Sequence, residues 1–170
     1  LAEAEAEALA GADRIITPHA EIAGLFAGRA IHLPWQIPAV GPLVPVPGRR
    51  IVFPGPTVAR KGAPALRDAA AALGLEVMTL GAELEGPDFW RGVRTVPAGD
   101  WAGVAAVVQP ALVEEQPRRL LRALAAGIPV IATPACGLEP RPGLCLVPPE
   151  DPAALIAALA ALTDPAGSIR

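Results

Sequence analysis

A chain of 170 residues, 52% of them hydrophobic, is long enough for one domain with a full core, burying roughly 70% of the surface it exposes when unfolded. Its net charge of −3, from 14 basic and 17 acidic residues, excludes the broad basic face that a nucleic-acid binder needs, so any anion site has to be local. No apolar run approaches the ~20 residues of a membrane helix, and two cysteines, Cys136 and Cys145, in a chain without a signal segment read as reduced thiols.

In chain order, LAEAEAEALAGA is a strong helix former that halts near Gly11, and its Ala/Glu alternation reads as a solvated or domain-facing helix. ADRIITPH gives a short strand centred on Ile15 and Ile16 and stopped by Pro18. AEIAGLFAG follows as a short helix with Ile22, Leu25 and Phe26 at helical spacing. From Ile31 to Gly48 the prolines at 34, 38, 42, 45 and 47 forbid regular helix and mark a linker. Residues 1–47 are therefore expected to form a hinge segment packing on a main body, residues 48–170. The chain opens on Leu and holds a single methionine, Met78, which suggests a piece of a longer protein.

The main body reads as alternating strands and helices. RRIVFPG is a buried strand ending in a Pro-Gly turn. The loop PTVARKG leads into the helix APALRDAAAALG, stopped by Gly74. LEVMTLG and GVRTVPAG are further strands, and a short helical turn around Trp101 precedes the strand AAVVQP. An acidic turn at Glu114 and Glu115 follows, then a helix opened by Pro117 with Leu120, Leu121 and Leu124 on one face. Gly127 stops that helix and the apolar run PVIA begins at once. GLCLVP is the last strand. The last helix starts at Asp151, an N-cap, with Pro152 in its first position. Strands joined by helices of this length need crossover connections, so the fold class is α/β: a Rossmann-like parallel sheet with helices on both faces.

Few residues are available for chemistry. The chain has no Tyr, and its one Ser, Ser168, lies near the end rather than on a strand-to-helix turn, which excludes a serine hydrolase. Cys136, Cys145, His19 and His32 lack metal-ligand spacing, so no metal site is expected. The dinucleotide fingerprint G-x-G-x-x-G is absent, which argues against NAD chemistry. What remains is electrostatic. The only lysine, Lys61, follows the first strand of the main body, and Arg118, Arg119 and Arg122 lie on the first turns of the helix after the strand AAVVQP. Both loops should emerge at the carboxyl edge of the sheet, where open α/β sheets bind ligands. Lys61, Arg118 and Arg119 together with the helix N-terminus could then bind a diphosphate. The alternative is that the arginines are solvated surface, and that Glu114 and Glu115 only complement the helix dipole, worth about 0.3–1 kcal/mol.

ADRIITPH, FPGPTVARKG, PALVEEQPRRLLRALAAGIPVIAT and VPPEDPAALIAAL together resemble the carboxyl-terminal, donor-binding domain of group 1 nucleotide-sugar glycosyltransferases, over almost the whole chain. The resemblance implies the C-terminal half of a GT-B fold. It implies an enzyme of the hexosyltransferase class, usually retaining, that moves a sugar from a UDP-, GDP- or ADP-sugar to an acceptor held by an amino-terminal domain absent here. The chain alone is then expected to be inactive, cofactor-free and metal-independent, and cytoplasmic, with a peripheral place at the inner membrane as an alternative.

By the resemblance, Lys61 and Gly55 of the first loop and Arg60 beside them face the donor phosphates. Glu114 is the first glutamate of the family's E-x7-E pair, which faces the donor sugar, and Glu115 is the alternative to it. The base is held by backbone near Val96 and Pro97. The chain departs from the family pattern in that the second glutamate is Arg122, the first-loop arginine is Pro56, and a phosphate-facing glycine is Pro117. Arg118, Arg119 and Arg122 are the residues expected to take over at the donor. Two other readings stay open: a non-catalytic glycosyltransferase-like interaction module, and a nucleotide-sugar epimerase of the same architecture.

Overall fold

The computed structural model describes residues 2–42, 48–99, 101 and 103–163. Residues 43–47 of the proline linker, and Ser168, lie outside the described residues. The described chain divides into two compact units, one of residues 1–36 with Gly137–Glu139, the other of residues 37–136 and 140–170. The sequence puts its boundary at Gly48, and contact density puts it after Gln36.

In the smaller unit, α1 (Ala2–Gly11) buries no residue, as its Ala/Glu alternation implies. Strand β1 (Ile15–Thr17) pairs in parallel with β2 (Ala30–His32), and α2 (Ala20–Leu25) connects them. β2 corrects the reading of Ile31 as the start of a linker. Three residues ahead of the first proline were too few to show a strand period, yet their backbone completes a two-stranded ladder. The helical spacing of Ile22 and Leu25 does not bury them either, as both are exposed. Polar ties carry the unit: Arg29 donates to the carbonyls of Leu9 (3.1 Å) and Ala12 (2.9 Å), and Arg14 to that of Gly28 (2.9 Å).

The larger unit is a six-stranded sheet, parallel throughout, in the order β5-β4-β3-β6-β7-β8. The strands are β3 (Arg50–Phe53), β4 (Glu76–Thr79), β5 (Arg94–Pro97), β6 (Val104–Gln109), β7 (Val130–Ala132) and β8 (Leu144–Leu146). β3, β6 and β7 lie inside the sheet and are buried on both faces, which explains their unbroken apolar runs. β5 is an edge strand ending at Pro97, where a missing N–H costs no ladder bond. The Val104 N–H bonds to the Trp101 carbonyl at 3.2 Å, closing a turn. The rest of the helical turn expected there involves residues 100 and 102, outside the described residues.

Alternate residues of the strands serve two layers. Ile51, Phe53, Val77, Ala106, Val108 and Ile131 form one cluster with Leu66, Ala69 and Ala70 of α3 (Ala63–Leu73) and Leu155 and Leu159 of α5 (Pro152–Thr163). The alanines let α3 approach the sheet closely. α4 (Arg118–Ala125) instead packs through buried Leu120, Leu121 and Ala123, each leucine contributing about 2 kcal/mol on burial. That apolar stripe orients α4 and leaves Arg118, Arg119 and Arg122 exposed. Asp151 is the N-cap expected of α5, its Oδ1 accepting the Ala154 N–H at 2.9 Å. Asp151→Ala should lower unfolding free energy by about 1 kcal/mol in urea titration, and an unchanged midpoint would count against the cap.

Candidate functional site

The order of the larger sheet reverses between β3 and β6. From β3 the chain adds β4 and β5 on one side, then returns to place β6, β7 and β8 on the other. The loops leaving β3 and β6 therefore part in opposite directions at the carboxyl edge and open a crevice between them.

The two loops are tied together at close range. Residues 54–62 end in a 3₁₀ turn, Ala59–Lys61, closed by Gly62 at φ +78°. A Cβ at Gly62 would stand 2.1 Å from the Pro110 carbonyl oxygen, so only glycine lets the first loop lie against the second. The Arg60 carbonyl accepts the N–H groups of Leu112 (2.9 Å) and Val113 (3.2 Å). At Gly81, after β4, a Cβ would meet the Gly55 carbonyl at 2.1 Å, and the Thr57 N–H bonds to the Ala82 carbonyl at 2.9 Å.

Between these loops lies a buried ion pair. Lys61 Nζ is 3.2 Å from Glu114 Oε2 and donates to the Val113 carbonyl at 3.1 Å. The two side chains keep only 9% and 10% of their surface exposed, so neither charge could be held there alone. Glu114 Oε1 accepts the Gln116 N–H at 2.9 Å, and Gln109 Nε2 donates to Oε2. Burial pushes the Glu114 carboxyl up, but the Gln116 N–H, Lys61 and Gln109 together hold it below the usual glutamate range.

Further along, Pro117 is the N-cap of α4, its carbonyl accepting the Leu121 N–H at 3.0 Å, and it offers no N–H of its own. Arg118 bonds to the Gln116 side chain at 2.7 Å, and Arg119 reaches back across the crevice to the Pro54 carbonyl. Arg119 and Arg122, one turn apart, line a cleft of about 420 Å³ with Val40, Gly41, Leu80, Trp101, Ala123 and Ala126. Its walls are apolar apart from the two guanidinium groups, and no carboxylate lines it among the described residues.

Of the residues singled out from sequence, Gly55, Arg60, Lys61 and Glu114 meet at the loop junction, and Arg119 and Arg122 share the cleft. Glu115 and Arg118 are exposed beside it. Val96, half-buried, and Pro97, exposed, pair with Met78 and Thr79 in the sheet and do not line the cleft, where Leu80 and Trp101 stand instead. Sequence reading missed Gln109, which is 3% exposed and braces Glu114, and Thr133, whose hydroxyl donates to the Ala111 carbonyl. A polar residue closing the apolar run AAVVQ was the available signal for Gln109. Cys136 and Cys145 are free thiols. Burial raises Cys136 to about 11, which leaves it an inert core residue. Among the described residues no group of three or more His, Cys, Asp or Glu is placed to hold a metal, and no helix is long and apolar enough to cross a membrane.

The ion pair makes stability depend on acid. Because the folded pKa of Glu114 lies below its unfolded value, the stabilisation is complete above the unfolded value and is lost as pH falls through the folded one. Lys61→Met strands the carboxylate and should cost about 3 kcal/mol near neutral pH, a deficit that narrows as pH falls and the stranded Glu114 is protonated. Urea titrations at about pH 7 and pH 4 measure both. Equal stability of variant and wild type at both values would show that the pair does not hold the loops.

Comparison with known proteins places this architecture. No curated protein sequence matches the chain. Among solved structures, sucrose-phosphate synthase from Thermosynechococcus elongatus superposes with a TM-score of 0.69 at 23% identity, over 92% of this chain and 50% of that one. The apo form of the lipopolysaccharide outer core galactosyltransferase WaaB gives 0.64 at 18% identity, over 93% and 54%. A mutant of TarM from S. aureus, in complex with Fondaparinux, alpha-GlcNAc-glycerol and UDP, gives 0.68 at 12% identity, over 89% and 37%. The chain thus spans about half the length of the first two, and at these identities the likeness is one of fold: this Rossmann-like sheet is that of GT-B glycosyltransferases. The family model described as "Glycosyl transferases group 1" matches residues 48–164, well over half of the sequence, and the chain belongs to that family.

Proposed function

We propose that this chain is the donor-binding half of a group 1 glycosyltransferase. It binds a nucleoside-diphosphate sugar in the cleft beside α4, for transfer to an acceptor held by a second domain. The observation that carries the reading is the cleft beside α4, apolar enough for a base and bounded by Arg119 and Arg122. TarM, of similar fold, was crystallised with UDP, which supports a nucleoside diphosphate as the ligand class.

In this reading no side chain attacks the sugar. As the glycosidic bond to the diphosphate breaks, negative charge grows on the leaving oxygens, and preorganised cations speed the step because they bind that charge more tightly than the ground state. Arg119 and Arg122 are the cations with access to the cleft. Lys61, held by Glu114 and Val113, fixes the β3 loop to the β6 loop. Retention, with the leaving phosphate taking the acceptor's proton, and independence of divalent metal complete the proposal. Activity abolished by chelator and restored by magnesium would overturn the last point. We place the protein in the cytoplasm, where nucleotide sugars are its substrates.

Two observations favour a second reading, a non-catalytic module of the same fold. Lys61 is already engaged by a carboxylate and a carbonyl, and Pro117 removes an N–H from the start of α4. Amide NMR titration with UDP, GDP and ADP separates the two. The donor reading expects saturable shifts with one of them, clustered at residues 54–62, Leu80, Trp101 and 117–123, and weakened about tenfold by Arg119→Ala. Silence from all three, with a well-dispersed spectrum, supports the non-catalytic module.

A further inference from the structure

The charges on α4 are arranged at the expense of the helix itself. Arg118 and Arg119 occupy its first turn, at the positive end of the helix dipole, where acidic residues are favoured and cations are not. Arg122 follows one turn after Arg119, so two like charges stand as neighbours on one face. Elsewhere four guanidinium groups meet carboxylates, Arg50 and Arg94 sharing Glu76, Arg67 on Asp68 and Arg91 on Asp88, while Arg14, Arg29 and Arg49 donate to backbone carbonyls. No ion pair reaches Arg118, Arg119 or Arg122 among the described residues. Arg118 takes a side-chain amide oxygen, Arg119 a backbone carbonyl, and Arg122 has no partner among those residues. Two of these three line the cleft.

A nucleoside diphosphate offers two kinds of polar group to such a wall. Ribose hydroxyls both donate and accept, so a site that reads them by their hydrogens supplies an acceptor. Guanidinium has five N–H donors and no acceptor. Phosphate oxygens only accept and carry the charge that the arrangement of arginines lacks. A phosphate between Arg119 and Arg122 would relieve their mutual repulsion and the unfavourable dipole term together. The apolar remainder of the cleft, Leu80 with Trp101, then faces the rest of the ligand.

Resting on the donor reading above, we infer that Arg122, with Arg119 one turn before it, is a specificity-determining residue for the anionic end of the ligand, so that binding depends on the charged phosphates far more than on the ribose diol, whose neutral oxygens a guanidinium can meet only as weak acceptors. Competition and direct titration of the chain with UDP, GDP and ADP, each beside its 2′,3′-dideoxy form and its nucleoside, and with inorganic pyrophosphate, test this. The dideoxy form of the nucleotide that binds should match the ribo form within about twofold, and the nucleoside should bind at least about tenfold more weakly. Pyrophosphate should compete for the same site. Arg122→Gln should weaken nucleotide and pyrophosphate alike by about tenfold. Arg122→Glu, which introduces an acceptor, should make the site favour the ribo over the dideoxy form. Nucleotide binding in the wild type that falls about tenfold on removal of the diol, or that survives Arg122→Gln unchanged, would overturn this inference and leave the donor reading intact. Failure of every nucleotide and of pyrophosphate to bind would overturn both.

Discussion

The geometry of the crevice depends on a charge that cannot be left alone. Lys61 and Glu114 sit in surroundings that water scarcely reaches, and removing either would leave an ion in a medium that solvates it poorly. Their pairing is completed by groups that satisfy the remaining lone pairs, the Gln116 N–H and the Gln109 amide on the carboxylate and the Val113 carbonyl on the ammonium. The two residues lie 53 positions apart on different loops, so the pair fixes the β3 loop to the β6 loop. Backbone bonds from Leu112 and Val113 to Arg60, and the contact that Gly62 permits with Pro110, hold the same junction from its other side.

From that junction the rest of the site follows. The β6 loop, pinned at Glu114, delivers the chain to Pro117, and the buried leucines of α4 then set the rotation of the helix. Rotation by one residue, about 100°, would carry Arg119 and Arg122 out of the cleft and a leucine into solvent, at a cost of about 2 kcal/mol. Hydrophobic burial thus places the cations, although the cations are what a phosphate would meet. The chain is acidic as a whole, and three arginines of one short helix stand beside an apolar pocket. Such an arrangement suits a small anionic ligand and not a polyanion.

Membership of the glycosyl transferases group 1 sets the frame within which the departures acquire meaning. Pro117 at the start of α4 withdraws a backbone donor, and Arg122 offers only donors on the same helix. In the proposed donor site, the first change would take an N–H from the anion's surroundings and the second would add a guanidinium, shifting recognition from backbone to side chain.

Much of the fold was legible in the sequence because burial on both faces writes itself as unbroken apolar runs, and because Gly74, Gly127 and the Asp151-Pro152 pair punctuate helices by local chemistry that needs no tertiary partner. The parallel α/β class and the placing of Lys61, Glu114 and the α4 arginines near one edge came from that local record, and the family from the resemblance of its motifs. What only the tertiary structure decided was which groups touch. β2 has no signal of its own beyond three residues and exists through its ladder with β1. Gln109 braces Glu114 because β6 ends beneath it, and the cleft beside α4 is lined by Leu80 and Trp101 while Val96 and Pro97 lie on the edge strand. Sequence records the preference of each residue for water or its absence. Which buried charge finds which partner across 53 residues depends on the order of strands in the sheet, a property of the whole chain.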